Sequence, residues 1–164
     1  MIKILAWPAF KNKSDNPYNW LLYKEIEKNP EIEVYDFSPY KALMNKYDIF
    51  HIHWPETILR KRNKLTVLIK LILFYLIINI IKLRGTKIIW TAHNIFSHER
   101  YHPFFENIFW RYFIKNINSY ISLTQLGVFE LTKYHPELKD KKMNIIPHGD
   151  YKLIYPQNIT EKSA

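Results

Sequence analysis

The sequence predicts an α/β domain of the doubly wound kind, with a mostly parallel, Rossmann-like sheet and helices on both faces. Two observations lead there. Short runs rich in Ile, Val, Tyr and Trp alternate along the chain with longer segments of 3.6-residue apolar periodicity, the pattern of repeated strand and helix units. Among these runs, Ile88, Ile89 and Trp90 are continuously apolar and lie between Gly85 and the polar group 91–94, as in a strand covered on both sides.

Residues 2–7 predict a first strand, ended by Pro8 and followed by a loop rich in Pro and Asn as far as Pro17. A helix is expected over 18–28, with Trp20, Leu21, Leu22 and Ile26 as its apolar face. Residues 32–37 alternate apolar and charged side chains, which predicts a strand near the sheet edge. The run 48–54, DIFHIHW, predicts a third strand stopped by Pro55; period two puts Ile49, His51 and His53 on one face and Phe50, Ile52 and Trp54 on the other. Residues 65–83 form the most apolar stretch, close to the roughly 20 residues that span a bilayer but interrupted by Lys70, Asn79 and Lys82. A parallel sheet needs a crossover helix there, so a core helix is the first expectation, ahead of a helix lying in a membrane interface and of a true span. Beyond the strand near 87–90, the expected order is an aromatic-rich helix at 103–115, a strand at 119–124, a helix at 125–134 and a strand at 142–147. Hydrophobic periodicity ends at Asp150, so the reading is one domain, 1–155, with 156–164 as linker or tail.

At 164 residues the chain is long enough for one substantial core. It contains no cysteine, which removes disulfides and thiolate metal sites and fits a reducing cytoplasm. The N-terminal apolar run is too short for a signal peptide, so the expected location is cytoplasmic. A net charge of +9 favours anionic partners. The basic residues are spread along the chain and the aromatics sit in apolar runs, which argues for an anionic membrane face over nucleic acid.

No G-x-G-x-x-G, G-x-x-x-x-G-K or G-x-S-x-G motif is present, so the common nucleotide and hydrolase routes on this fold are closed. His51, His53 and His93 could share a metal only without a carboxylate of fixed spacing, and no metal is expected. What remains is a crown of residues at successive strand ends: Trp7 and Asn16, His53 and Glu56, His93 and Asn94, Thr124 and Gln125, His148 and Gly149. Such a mixture of imidazole, amide and aromatic groups suits a polyhydroxylated ligand, although strand ends are polar in any α/β fold.

The runs DIFHIHWPE from Asp48, KIIWTAHN from Lys87 and MNIIPHGDY from Met143 resemble the N-terminal domain of bacterial GT-B glycosyltransferases that build capsular and exopolysaccharides. The resemblance implies one half of a two-domain enzyme whose active site lies in the cleft between Rossmann-like halves. The N-terminal half would hold the glycan acceptor, expected to be lipid-linked, and a second half the nucleotide-sugar donor, with no other cofactor. It places His93 near the transferred sugar, Asn94 beside it, His53 and Glu56 on the acceptor side, and His148 and Gly149 before the hinge. Glu56 and Glu99 are the candidate bases for an inverting reaction. The chain stops near the expected interdomain linker, which implies a truncated product, an excised domain or one subunit of a split enzyme whose donor half is a separate chain; the alternative is a non-catalytic recruiting subunit. The expected location becomes the inner face of the plasma membrane, peripherally bound.

Overall fold

The computed structural model of the chain describes residues 1–14, 16–94 and 101–151. Six strands, β1 (Ile2–Trp7), β2 (Ile32–Asp36), β3 (Ile49–Ile52), β4 (Lys87–Ala92), β5 (Ser119–Ser122) and β6 (Lys142–Ile145), form one sheet in the order β2-β1-β3-β4-β5-β6. Every pairing is parallel. The expected fold class therefore stands, with β2 at the sheet edge as the alternating pattern of 32–37 suggests. The helices are α1 (Tyr18–Ile26), α2 (Pro39–Met44), α3 (Lys64–Leu83), α4 (Pro103–Asn116) and α5 (Gln125–Tyr134), with single 3-10 turns at Pro55–Leu59 and Pro136–Asp140.

Chain direction across the sheet reverses between β1 and β3, which makes a topological switch point at their carboxyl ends. Right-handed crossovers put the helices from the two sides of that point on opposite faces. α1 covers one face through Ile4, Ala6, Ala9, Tyr23 and Val34. The larger core lies on the other, where Leu5, Phe50, Ile52, Ile88, Trp90 and Tyr120 meet residues of α2, α3, α4 and α5.

α3 is the crossover between the adjacent strands β3 and β4. The Asn63 side chain caps it by accepting from the amide of Thr66 at 3.1 Å. Val67, Leu71, Phe74, Ile77, Ile78 and Ile81 are buried against the sheet, each worth about 1.5–3 kcal/mol of transfer free energy. Gly85, at φ 81°, supplies the left-handed residue that ends the helix. Just before it, the Arg84 guanidinium donates to the carbonyls of Ala42, Leu43 and Asn45, tying the end of α3 to the end of α2. The core expectation for 65–83 is met on the inner side of the helix.

Three features depart from the sequence reading. α2 is only six residues long, held by its Ser38 cap and by Pro39, and is too short for apolar periodicity to reveal. β3 and β5 end two residues before the expected boundaries, and so does β6. The buried side of α1 is also rotated from the expected face: Tyr18, Asn19 and Tyr23 are enclosed, while Trp20 lies at the edge with the Lys13 ammonium 3.9 Å from its ring centroid. A carboxylate fixes the loop that leads into this helix. Asp36 Oδ1, at the end of β2, accepts from the amides of Ala9 and Phe10, both at 3.0 Å.

Candidate functional site

The pleat of β3 sends His51 and His53 to the α1 side of the sheet, where Tyr23 meets both. Tyr23 Oη is 2.8 Å from His51 Nδ1 and 2.6 Å from His53 Nε2. Inward, His51 Nε2 lies 2.8 Å from Thr91 Oγ1 on β4. Outward, His53 Nδ1 lies 3.1 Å from Nε2 of His93, the first residue past the end of β4. The result is one hydrogen-bonded chain: Thr91, His51, Tyr23, His53, His93. It runs from the sheet interior to the switch-point crevice.

Rings close the outer end. The His93 imidazole stacks on Trp54, with centroids 4.4 Å apart and 22° between planes. Tyr18 stands edge-on to His93 at 4.9 Å and to His148 at 4.6 Å. His148 also lies 3.2 Å, through Nδ1, from the Tyr151 hydroxyl. A cleft of about 390 Å³ lined by Tyr18, Leu22, Pro147, Gly149 and Tyr151 opens on one side of this group. A second, of about 330 Å³, is lined by Trp7, Asn12, Asn16, Trp54 and Arg60. Tyr18 belongs to the first cleft, Trp54 to the second, and both pack on His93. A third cleft, about 420 Å³ between α4 and the segment 134–137, holds no residue of the predicted crown.

Burial dominates the electrostatics. Desolvation pushes His51 down to about 4. It takes His93 to about 3, helped by the neighbouring His148 and His51. His53 is held well below the usual histidine range by burial, then by His51 and His93. The Tyr23 hydroxyl is driven well above its ordinary value by the same burial. All these groups are therefore neutral near pH 7. A neutral imidazole has one N–H and one lone pair, so the chain has two consistent directions. In the inward direction, His93 donates to His53, His53 to Tyr23, Tyr23 to His51 and His51 to Thr91, leaving Nδ1 of His93 as a lone pair. In the outward direction every donor and acceptor exchanges, and Nδ1 of His93 carries a proton. His93 is thus a weak base that can meet a hydroxyl either as acceptor or as donor.

His53, His93 and His148 of the predicted crown are brought together, and Trp7 and Asn16 share the cleft beside them. Gly149 lines the other cleft, and Asn94 directly follows His93 at the end of β4. Thr124 and Gln125 begin α5; the Thr124 hydroxyl is engaged as its cap, accepting from the amide of Gly127 at 2.9 Å. Glu56 is 2% exposed within its 3-10 turn, with one carboxylate oxygen 3.5 Å from Arg60 Nη2. Glu99 falls outside the described residues. Among the described residues no three His, Cys, Asp or Glu side chains form a metal cradle. The point on which His51 and His53 converge is occupied by the tyrosine oxygen.

Sequence reasoning missed Tyr18, Tyr23 and Thr91, and it left His51 out of the site. A polar-aromatic edge of residues 18, 19 and 23 beside the aliphatic face of α1 was the one available signal.

No protein-family model matches the chain. Over 98 residues, 60% of this chain, the sequence is 35% identical to the GDP-mannose:glycolipid 4-beta-D-mannosyltransferase of Xanthomonas campestris pv. campestris, and the figures are the same for the protein of that name from a designated strain of the pathovar. This chain is similar to a bacterial mannosyltransferase. The matched region covers 28% of the length of these relatives, so the chain spans well under two thirds of them.

Proposed function

We propose that this chain is the acceptor-side half of a bacterial glycosyltransferase, one half of a GT-B fold, which helps to move a hexose from a nucleotide-sugar to a lipid-linked glycan in polysaccharide assembly. One observation carries the reading: a neutral chain of imidazoles and a tyrosine ends at His93, between two clefts at the switch point of a wholly parallel sheet. Sugar hydroxyls both donate and accept hydrogen bonds, and His93 offers either partner without a buried charge. The rings of Trp54 and Tyr18 supply flat apolar surfaces for a pyranose. The similarity to a mannosyltransferase acting on a glycolipid supports mannose and a glycolipid as the first substrates to test. In this reading a second, donor-binding half, on the same or another chain, holds the nucleotide. Glu56 and Glu99 remain the proposed bases, and Asn94, Thr124 and Gln125 proposed substrate contacts.

The test is transfer from a panel of nucleotide-sugars to short glycolipids, with and without a candidate donor-binding chain, alongside direct binding of acceptor and nucleotide to this chain. Acceptor binding by this chain, with transfer only when the donor-binding half is present, is the expected result. Nucleotide binding here without glycan binding would overturn the assignment of halves, and glycan binding that never yields transfer would favour a recruiting subunit. In an active assembly, His93→Ala is expected to lower transfer by roughly a hundredfold with unchanged circular dichroism, the scale of a lost acid–base or orienting group. Activity within a few-fold of wild type would remove His93 from the site.

A further inference from the structure

The outer side of α3 is not what a crossover helix normally shows to water. Leu65, Leu68, Ile69, Ile72 and Leu76 follow one another at helical spacing and are 64%, 42%, 58%, 59% and 49% exposed. On an amphipathic surface helix that stripe carries charge. α4 extends it with Phe104, 73% exposed, and Ile108, 42% exposed, one turn apart. The two stripes meet at the helix starts, where Lys64, Tyr101, Phe104 and Phe105 line one shallow cleft. Six aliphatic side chains and a phenylalanine, all exposed, form a patch of the kind that marks an interaction surface.

The charge along α3 and its flanks has a single sign. From residue 57 to residue 98 the sequence contains no Asp or Glu and eight Lys or Arg. Arg60, Lys61, Arg62 and Lys64 gather at the start of α3, all exposed. We infer that the outer faces of α3 and α4, with this basic rim, form a docking surface for an anionic lipid bilayer, and that α3 lies in the plane of the interface. Apolar side chains would enter the boundary between headgroups and acyl chains while the lysines and arginines meet anionic headgroups. By length and composition alone α3 could cross a membrane. Its place between two adjacent strands and its six inward residues keep it on the sheet, so only the outer half is free to insert. Helices after parallel strands start at the strands' carboxyl ends, so the basic rim stands at the same end of the sheet as His93. A lipid-held acceptor would enter the crevice from the membrane plane. That last step rests on the proposed function, whereas the docking itself does not.

The experiment is flotation of the full chain with phosphatidylglycerol–phosphatidylcholine vesicles and with pure phosphatidylcholine vesicles across a salt series. Two variants accompany it: Ile69→Glu with Ile72→Glu, and Lys61→Glu with Lys64→Glu. All four positions are exposed, so the fold is expected to survive, and circular dichroism checks it. Expected are salt-sensitive binding to the anionic vesicles and a loss of roughly tenfold or more in each double variant, because one removes the inserted face and the other reverses the headgroup attraction. No wild-type binding to anionic vesicles at low salt, or binding unchanged by Ile69→Glu with Ile72→Glu, would overturn the proposal. Binding that survives carbonate would overturn it in favour of a span. Self-association without lipid binding, abolished by the same substitutions, would assign the surface to a second copy of the chain. None of these readouts depends on transferase activity, so failure here and failure of the proposed function are separable.

Discussion

Acidification from neutral pH to about pH 4 is expected to remove at least about 3 kcal/mol of folding stability through the imidazole chain. The direction follows from which state holds the protons. An unfolded histidine takes one up near pH 6.5, whereas folded His51 does so only near 4. Between those values the unfolded state binds more protons, so stability is fully present above the unfolded value and is lost as pH falls through the window. For His51 alone the difference is worth about 3 kcal/mol. His53 and His93 are lowered for the same reason and act in the same direction. A domain of this size commonly has about 5–15 kcal/mol in total, so acid alone brings it close to unfolding. Urea denaturation at several pH values from about 7 to about 4 measures the slope, and His51→Gln supplies the comparison. That variant starts less stable but carries one titrating group fewer, so its pH dependence is expected to be shallower. An equal slope in both proteins would place the acid sensitivity elsewhere.

Tyr23→Phe is the second large effect. Among the described residues the hydroxyl alone bridges His51 and His53, whose rings lie 4.4 Å apart. Phenylalanine fills nearly the same space and leaves two buried nitrogens facing each other without a partner. Each orphaned group costs about 1–3 kcal/mol, so a loss of about 2–4 kcal/mol is expected in urea denaturation. A purely structural hydroxyl would do no more than that. The chain predicts in addition that the imidazole nitrogen chemical shifts of His93 change in Tyr23→Phe, because the proton arrangement on His53 sets which nitrogen of His93 is protonated. Unchanged His93 shifts would show that its tautomer is set locally, by Trp54 and Tyr18, and not through the chain.

The backbone of this arrangement was readable because it depends on local pattern. The alternation of β-branched runs and helical periods is enough for a parallel sheet, and period two in DIFHIHW put His51 and His53 on one face before any coordinates. His93 and His148 were readable as strand-end residues for the same reason. Tyr23 was not, because a tyrosine on a helix reads as a satisfied amphipathic residue until its partners, 28 and 30 positions away, are known. Glu56 illustrates a second limit. An acid after a strand reads as a crevice residue, but its degree of enclosure is not legible: Pro55 starts a 3-10 turn in which Glu56 is 2% exposed, with Arg60 3.5 Å away. The outer face of α3 was legible only as alternatives: high hydrophobicity all round a helix says that it is covered, by core or by a membrane interface, and the choice of side needs the packing.

The two sides of the sheet are unequally held. α1 is fastened over five buried apolar residues, whereas twenty-four make up the core beneath the other helices. Amide hydrogen exchange resolves such inequality as separate openings, with the lightly fastened element exchanging at a lower free energy than the whole domain. α1 is therefore the segment expected to lift first, and Tyr23 lifts with it. Each such excursion unseats the centre of the hydrogen-bonded chain and admits water to His51 and His53, so protons gain entry well before global unfolding. The helix that shields the histidines from charge is also the gate through which charge reaches them.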